Sequence, residues 1–231
     1  MEIKQATRIQ TSILNSAEKK ALVWLAERQP RWVTSDTLTF IGFLGAVIIA
    51  AGYMLTVKDI NFLWLASFGF VVNWYGDSLD GTLARVRNHQ RPLYGYYLDH
   101  TMDGINESLM FIGAGLSSLM HLSLALILLL FYQLLTVNVS INAHLRKEFR
   151  LTYAKMGPTE FRLIAVIVNT LFVFIRPLRE FSRDCSLLGY GFTLSALDIV
   201  VLALIAILAL IYAVTVIGDA RYYGRIDPKK W

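Results

Sequence analysis

Four aspartates, Asp77, Asp80, Asp99 and Asp103, fall within 27 residues of a chain that is 55% hydrophobic and only 17% charged. An ionised carboxylate placed toward the centre of a membrane helix costs roughly 2.5–3.5 kcal/mol, so four deeply buried ones cost about 10–14 kcal/mol. That is comparable to the whole stability of a typical domain. Two arrangements relieve the cost: the groups sit wet at the membrane interface among Arg and Lys side chains, or they bind cations. Spacing favours cations. Asp77 and Asp80 are i,i+3 on one helix face, with Gly81 and Ala84 four residues beyond each. Gly95, Asp99 and Asp103 are successive i,i+4 positions along another helix, and Glu107 continues that stripe. Small residues beside the carboxylates leave room for a ligand or a second helix to approach the backbone. Oxygen donors without His or Cys among them suit Mg²⁺, Mn²⁺ or Ca²⁺ rather than zinc. Four negative charges match two divalent ions, and two-metal sites favour phosphoryl displacement. Arg85 and Arg87 supply cations that could grip phosphate oxygens. Acidic residues within a bundle can also mark an ion path, so a divalent-cation transporter is the competing reading.

The elements that must hold these residues are helices in a membrane. A soluble domain carries about a quarter charged residues, whereas here the apolar residues come in blocks of spanning length. Six spans are expected, at about 38–57, 60–76, 94–120, 121–142, 161–177 and 192–217, with Ser35 or Asp36 capping the first. The fold class is therefore all-α, a polytopic membrane protein. Residues 1–35 form an amphipathic juxtamembrane segment, and 36–231 form the six-helix domain. Within the former, 9–29 places Ile9, Ile13, Leu14, Ala17, Ala21 and Leu25 at helical spacing. Such a helix lies along the membrane surface or caps the bundle. No apolar core followed by a cleavage site opens the chain, so no removable signal peptide is expected.

The charges orient the bundle. Of 22 Lys and Arg, all but Lys58, Arg176, Arg179 and Arg183 fall on the side that holds both termini and the aspartates. By the positive-inside rule that side is cytoplasmic. The formal net charge of +5 suits membrane lipids and a phosphorylated substrate. No basic stripe interleaved with aromatics points to nucleic acid. Cys185 is the sole cysteine, which excludes an intrachain disulfide and a Cys-rich metal site.

Taken together, Asp77, Asp80, Gly81, Ala84, Arg85, nine residues, Gly95, Asp99 and Asp103 reproduce D-x2-D-G-x2-A-R-x8/9-G-x3-D-x3-D with no fixed position missed. This resembles the signature of the CDP-alcohol phosphotransferase family. The resemblance implies that an acceptor alcohol attacks the β-phosphorus of a CDP-linked donor, CMP leaves, and a phospholipid or its precursor forms at the inner membrane. It implies that Asp77, Asp80 and Asp99 bind two Mg²⁺ or Mn²⁺ ions, with Asp103 on the metal site and acting as general base. It assigns Asp77, Gly81, Ala84, Arg85 and Gly95 to the CDP pocket, and a homodimer is common in that family. The acceptor is a lipid or a small alcohol, since the family divides into CDP-diacylglycerol and CDP-choline or CDP-ethanolamine enzymes. Two details lean toward the second group: His100 following Asp99, and Pro158-Thr159-Glu160 opening the fifth span. His100, Glu107, Arg146 and Lys155 are accessory candidates, the two basic residues for an acceptor or lipid phosphate. Each also has a plain structural reading: a helix-surface hydrogen bond for His100, and the positive-inside signal for the basic loop. Asn138, Asn142 and Asp198 are further polar residues in or near spans; Asp198, near a helix end, is expected to be structural, and Glu107 to face the same water-filled cavity as the aspartates.

Overall fold

The computed structural model describes residues 7–9, 15–146, 148–150, 158–187 and 190–229. Among them the helices are α1 (Asn15–Glu27), α2 (Ser35–Leu55), α3 (Leu63–Val86), α4 (Pro92–Gly115), α5 (Leu122–Arg146), α6 (Pro158–Phe174), the single-turn α7 (Arg176–Arg179) and α8 (Ala196–Ile226). A 3-10 turn, Ile60–Phe62, precedes α3. Two short ladders interrupt the all-helical expectation. Strand β1 (Thr7–Ile9) pairs in parallel with β2 (Glu148–Arg150), and β3 (Ser182–Leu187) pairs antiparallel with β4 (Tyr190–Ser195). The second ladder occupies the stretch expected as loop and the first residues, 192–195, of the expected sixth span, whose helix starts only at Ala196; it pairs Cys185 with Phe192.

Among the described residues three helices are long and apolar enough to cross a membrane, over Ser35–Leu55, Leu122–Leu145 and Ala196–Ile226. α8 leaves Leu202, Leu204, Ile207, Leu210, Val214 and Ile217 exposed, a lipid-facing surface. α3 and α4 match them in length, but each carries acidic residues inside the helix. The apolar segment expected at 60–76 runs on unbroken to Val86, so Asp77 and Asp80 continue its turns, as expected of two residues on one helix face.

The start of α2 differs from expectation in an informative way. Thr34, not Ser35 or Asp36, is the N-cap: its side chain accepts from the Thr37 amide at 3.2 Å, and the Thr37 hydroxyl receives the Thr34 amide in return. Ser35 is thereby free to donate to the Asp80 carbonyl at 3.0 Å, and Asp36 to pair with Arg91. At the opposite end of the bundle Ser195 caps α8, and its boxed partner Asp198 is fully buried. Asp198 also accepts from the His121 amide at 2.9 Å and the His121 ring at 2.7 Å, tying the α4–α5 turn to α8.

α2 is the spine on which the two aspartate helices lean. A Cβ on Gly45 would lie 2.6 Å from the Asn73 Cα on α3, and one on Gly113 of α4 would lie 2.5 Å from the Ala50 Cα. Only hydrogen fits at either crossing, so both helices approach α2 backbone to backbone. Asn88, at φ 55, turns α3 back toward α4; asparagine tolerates that left-handed geometry. α1 covers the aspartate end of α2 and α3. It buries Leu22 and Ala26 against Val33, Leu38, Leu79 and Leu83, while Ala21 and Trp24 stay exposed. Its Glu18 carboxylate accepts from Trp74 Nε1 at 2.9 Å and from the Thr159 hydroxyl. That is the geometry of a cap on the bundle.

Gly45→Val forces α2 and α3 apart. We expect a loss of about 3 kcal/mol, the upper part of the overpacking range, read as a lowered unfolding midpoint in detergent.

Candidate active site

One carboxylate oxygen from each of Asp77, Asp99 and Asp103 lies within 4.8 Å of the other two. Helix period explains the pairing on α4, where four residues bring Asp99 and Asp103 onto one face. The shared spine α2 brings α3 alongside. Asp99 is half exposed, its side chain 47% accessible, so the cluster opens to solvent at one end.

Asp80 lies outside this group. Its Oδ2 accepts from the Thr39 hydroxyl at 2.7 Å and its Oδ1 from the Gly81 amide. The structure thus brings three of the four motif aspartates together and holds the fourth, one turn on, against α2.

Arg162 completes the cluster, and the sequence reading counted it only among loop charges. From the first turns of α6 its Nη2 donates to Asp77 Oδ2 at 2.5 Å and its Nε to Asn73 Oδ1 at 2.9 Å. Asn73 is fully buried and donates in turn to the Gly42 carbonyl at 2.9 Å. The remaining Arg162 nitrogen, Nη1, is buried without a hydrogen-bond partner. A signal was available: an arginine four residues past Pro158, the first residue of an apolar helix, is an ionisable group inside a candidate span, and such groups mark sites. Glu107, a turn beyond Asp103, accepts from Gln133 Nε2 of α5 at 2.8 Å. The acidic stripe is thus held by helices on both sides.

The glycines among the expected pocket residues have open space beside them. A Cβ on Gly81 would meet only the Arg85 guanidinium, nearest at 3.4 Å, and one on Gly95 would meet nothing within 4 Å. Ala84 is half-buried on the same helix. Arg85 is exposed and donates to the Thr82 hydroxyl at 2.9 Å.

Arg87 is a correction. Expected beside Arg85 as a phosphate ligand, it donates instead to the carbonyls of Val33, Gln29 and Pro30, stapling the α1–α2 connection to the end of α3. Three carbonyl acceptors leave that guanidinium little to offer a substrate. Arg91 pairs with Asp36 through both carboxylate oxygens and lies 3.9 Å over the Tyr94 ring. His100 stacks on Tyr96, approaches its carbonyl at 3.1 Å through Nδ1, and stands 3.8 Å from Asp99 Oδ2. It also borders a cavity of about 500 Å³ that α5 lines with Gln133, Thr136, Ser140 and His144. Glu160 is buried on α6. Arg146 ends α5, and Lys155 lies outside the described residues. Asn138 and Asn142 both donate to Asp219 of α8, at 3.1 and 2.7 Å, away from the acidic cluster.

Three converging carboxylates, one of them paired with a guanidinium, form an oxygen-only donor set, which fits a hard divalent cation. Acidic side chains from two helices thus meet at one end of a helical bundle. The profile of the CDP-alcohol phosphatidyltransferase family matches residues 32–221, and the chain belongs to that family, which is metal-dependent. The chain is 34% identical over 85 residues to a phosphatidylinositol phosphate synthase of Cutibacterium acnes, covering 36% of this chain and 38% of that protein. It is 34% identical over 98 residues to Cholinephosphotransferase 1 of Xenopus laevis, covering 40% and 24%. With Cholinephosphotransferase 1 of Mus musculus the identity is 28% over 123 residues, covering 51% and 31%. These matches span at most 38% of a relative's length.

Asn73 links three helices through one side chain. Asn73→Ala removes both bonds and leaves Arg162 Nε without that partner, and we expect roughly 1–3 kcal/mol of lost stability, measured by thermal unfolding of the purified protein.

Proposed function

We propose that the chain is an integral-membrane CDP-alcohol phosphotransferase. It transfers a phosphoalcohol group from a CDP-linked donor to an acceptor hydroxyl and releases CMP, in phospholipid synthesis. The observation that carries this reading is the convergence of Asp77, Asp99 and Asp103 from two helices, at the spacing of the family signature. Asp77, Asp99 and Asp103 would hold Mg²⁺ or Mn²⁺, with Asp80 one turn away as the candidate ligand to a second ion. A divalent cation in that position supplies neutralisation of the donor diphosphate and of the leaving CMP.

The chain's own residues supply the rest. The Asp103 carboxylate takes the proton of the acceptor hydroxyl as it attacks the β-phosphorus, leaving the Asp103 acid and CMP. Gly81, Ala84 and Gly95 leave the backbone of α3 and α4 open to the cytidine diphosphate, and Arg85 at the rim offers donors to phosphate oxygens. Asp99, half exposed, faces the entry side. His100, and Glu160 in its Pro-Thr-Glu setting, favour a phospho-aminoalcohol donor. The relatives' names cover both phosphatidylinositol phosphate synthesis and cholinephosphotransfer, so a CDP-diacylglycerol donor is the alternative. α2, α3, α4, α5, α6 and α8 serve as six spans, with the termini and the aspartate cluster on the cytoplasmic side of the cell inner membrane.

Purified protein incubated with CDP-diacylglycerol, CDP-choline or CDP-ethanolamine, Mg²⁺ or Mn²⁺, and a panel of acceptors is expected to release CMP and form one lipid product identifiable by mass. Mn²⁺ flux into proteoliposomes without CMP release would instead support a transporter. Asp103→Asn is expected to lower CMP release by about two to four orders of magnitude, the contribution of a general base, while the protein remains folded and binds a CDP-alcohol. Gly81→Leu is expected to weaken CDP-alcohol binding, read by titration; undiminished affinity argues against the pocket.

A further inference from the structure

Arg162 stands where an incoming cation must go. Its Nη2 occupies Asp77, one of the three carboxylates that meet within 4.8 Å, and its charge also reaches Asp103 and Glu107. Two features make the contact exchangeable rather than fixed. Nε is anchored on Asn73, itself buried and locked to the Gly42 carbonyl, so the guanidinium has a pivot. Nη1 is buried without a partner, so the present pose leaves one donor unmet. An arginine placed solely to brace the bundle is expected to satisfy its buried donors.

We propose that Arg162 is the resident counter-ion of the acidic cluster, holding Asp77 in the metal-free chain and yielding it when a divalent cation binds. This rests on the metal-site reading of Asp77, Asp99 and Asp103 given above. Arg162 is a positioning residue: it keeps the like-charged aspartates from separating α3 from α4 while no ion is present, and it opposes the ion that replaces it. Turning about the Nε–Asn73 bond carries the guanidinium away from Asp77. Glu107, one turn farther along α4 and within its electrostatic range, is the anion that receives it.

The sign of the effect separates this role from mere packing. A damaged site binds metal more weakly, whereas removal of a competing cation makes it bind more tightly. A cation beside a carboxylate shifts its affinity for another cation by about tenfold or more. The full-length protein in detergent is titrated with Mn²⁺, with free Mn²⁺ followed by its paramagnetic resonance signal, for wild type, Arg162→Gln and Arg162→Lys. Unfolding midpoints are recorded with and without Mn²⁺. Arg162→Gln is expected to bind Mn²⁺ about tenfold more tightly, to unfold at lower temperature without metal, and to regain stability with it. Arg162→Lys, which keeps the charge, is expected to bind more weakly than Arg162→Gln. Equal or weaker affinity in Arg162→Gln, beside a wild type that binds Mn²⁺, overturns the counter-ion role and leaves the enzyme reading standing. A wild type that binds no Mn²⁺ overturns both. Where Arg162→Gln does not fold, the wild type itself decides: a structure with Mn²⁺ bound in which Arg162 has left Asp77 supports the proposal, and one in which it has not overturns it.

Discussion

Like charges do not gather unaided. Carboxylates no more than 4.8 Å apart repel by at least about 3 kcal/mol per ionised pair at an effective dielectric near 20. Much of this bundle can be understood as the means of holding that arrangement. Gly45 and Gly113 let α3 and α4 pack backbone to backbone against α2, the helix they share. Asn73 fastens α3 to α2, and through Arg162 fastens both to α6. The ion pair between Arg162 and Asp77 then offsets part of the repulsion where it is greatest. None of these contacts is strong in isolation. Their value lies in sharing residues, so that α2, α3 and α6 resist the electrostatic strain as one body.

How much of this could be read from the sequence follows from the range of each interaction. The i,i+3 and i,i+4 spacings of the aspartates are local, and the helix period turns them directly into shared faces. Six long apolar stretches announce themselves by composition, and six long helices stand near the expected positions among the described residues. Three of these have the length and apolarity to span on those criteria alone. What depended on contact across the fold was not legible. Asp80 shares a helix face with Asp77, yet the hydroxyl of Thr39, 41 residues away in sequence, decides where it points. Arg85 and Arg87 look equivalent in the sequence. The carbonyls of the α1–α2 connection, more than 50 residues distant, take Arg87 out of the site. Arg162 was in plain view and was absorbed into a tally of positive charges, because a charge at the edge of a span satisfies the topology rule whether or not it does anything else.

The boundary errors have the same origin. Ser35 and Asp36 are both good caps by type, but Thr34 adopts the role because its neighbours are drawn off to Asp80 and Arg91. The amphipathic segment near the N-terminus was assigned a stripe through Ala21 and Leu25, whereas the face buried most deeply runs through Leu22 and Ala26. A shift of one residue on a helix is a rotation of 100°. What selects the rotation is the apolar surface offered by Leu38, Leu79 and Leu83, which lies in other helices.

Polar contacts toward the C-terminal end of α8 bear on how that helix is seated. That helix is greasy around its whole circumference, so lipid gives it no preferred rotation and apolar contacts discriminate weakly between one face and another. Asp219 adds a second mark to the one that Asp198 makes at the start of the helix, where it holds His121. By accepting from Asn138 and Asn142 of α5, while Tyr223 one turn along donates to the same Asn142, it keys α8 into a single azimuth. A spanning helix without such an index mark could spin in place; this one is clocked, like a shaft set by its spline.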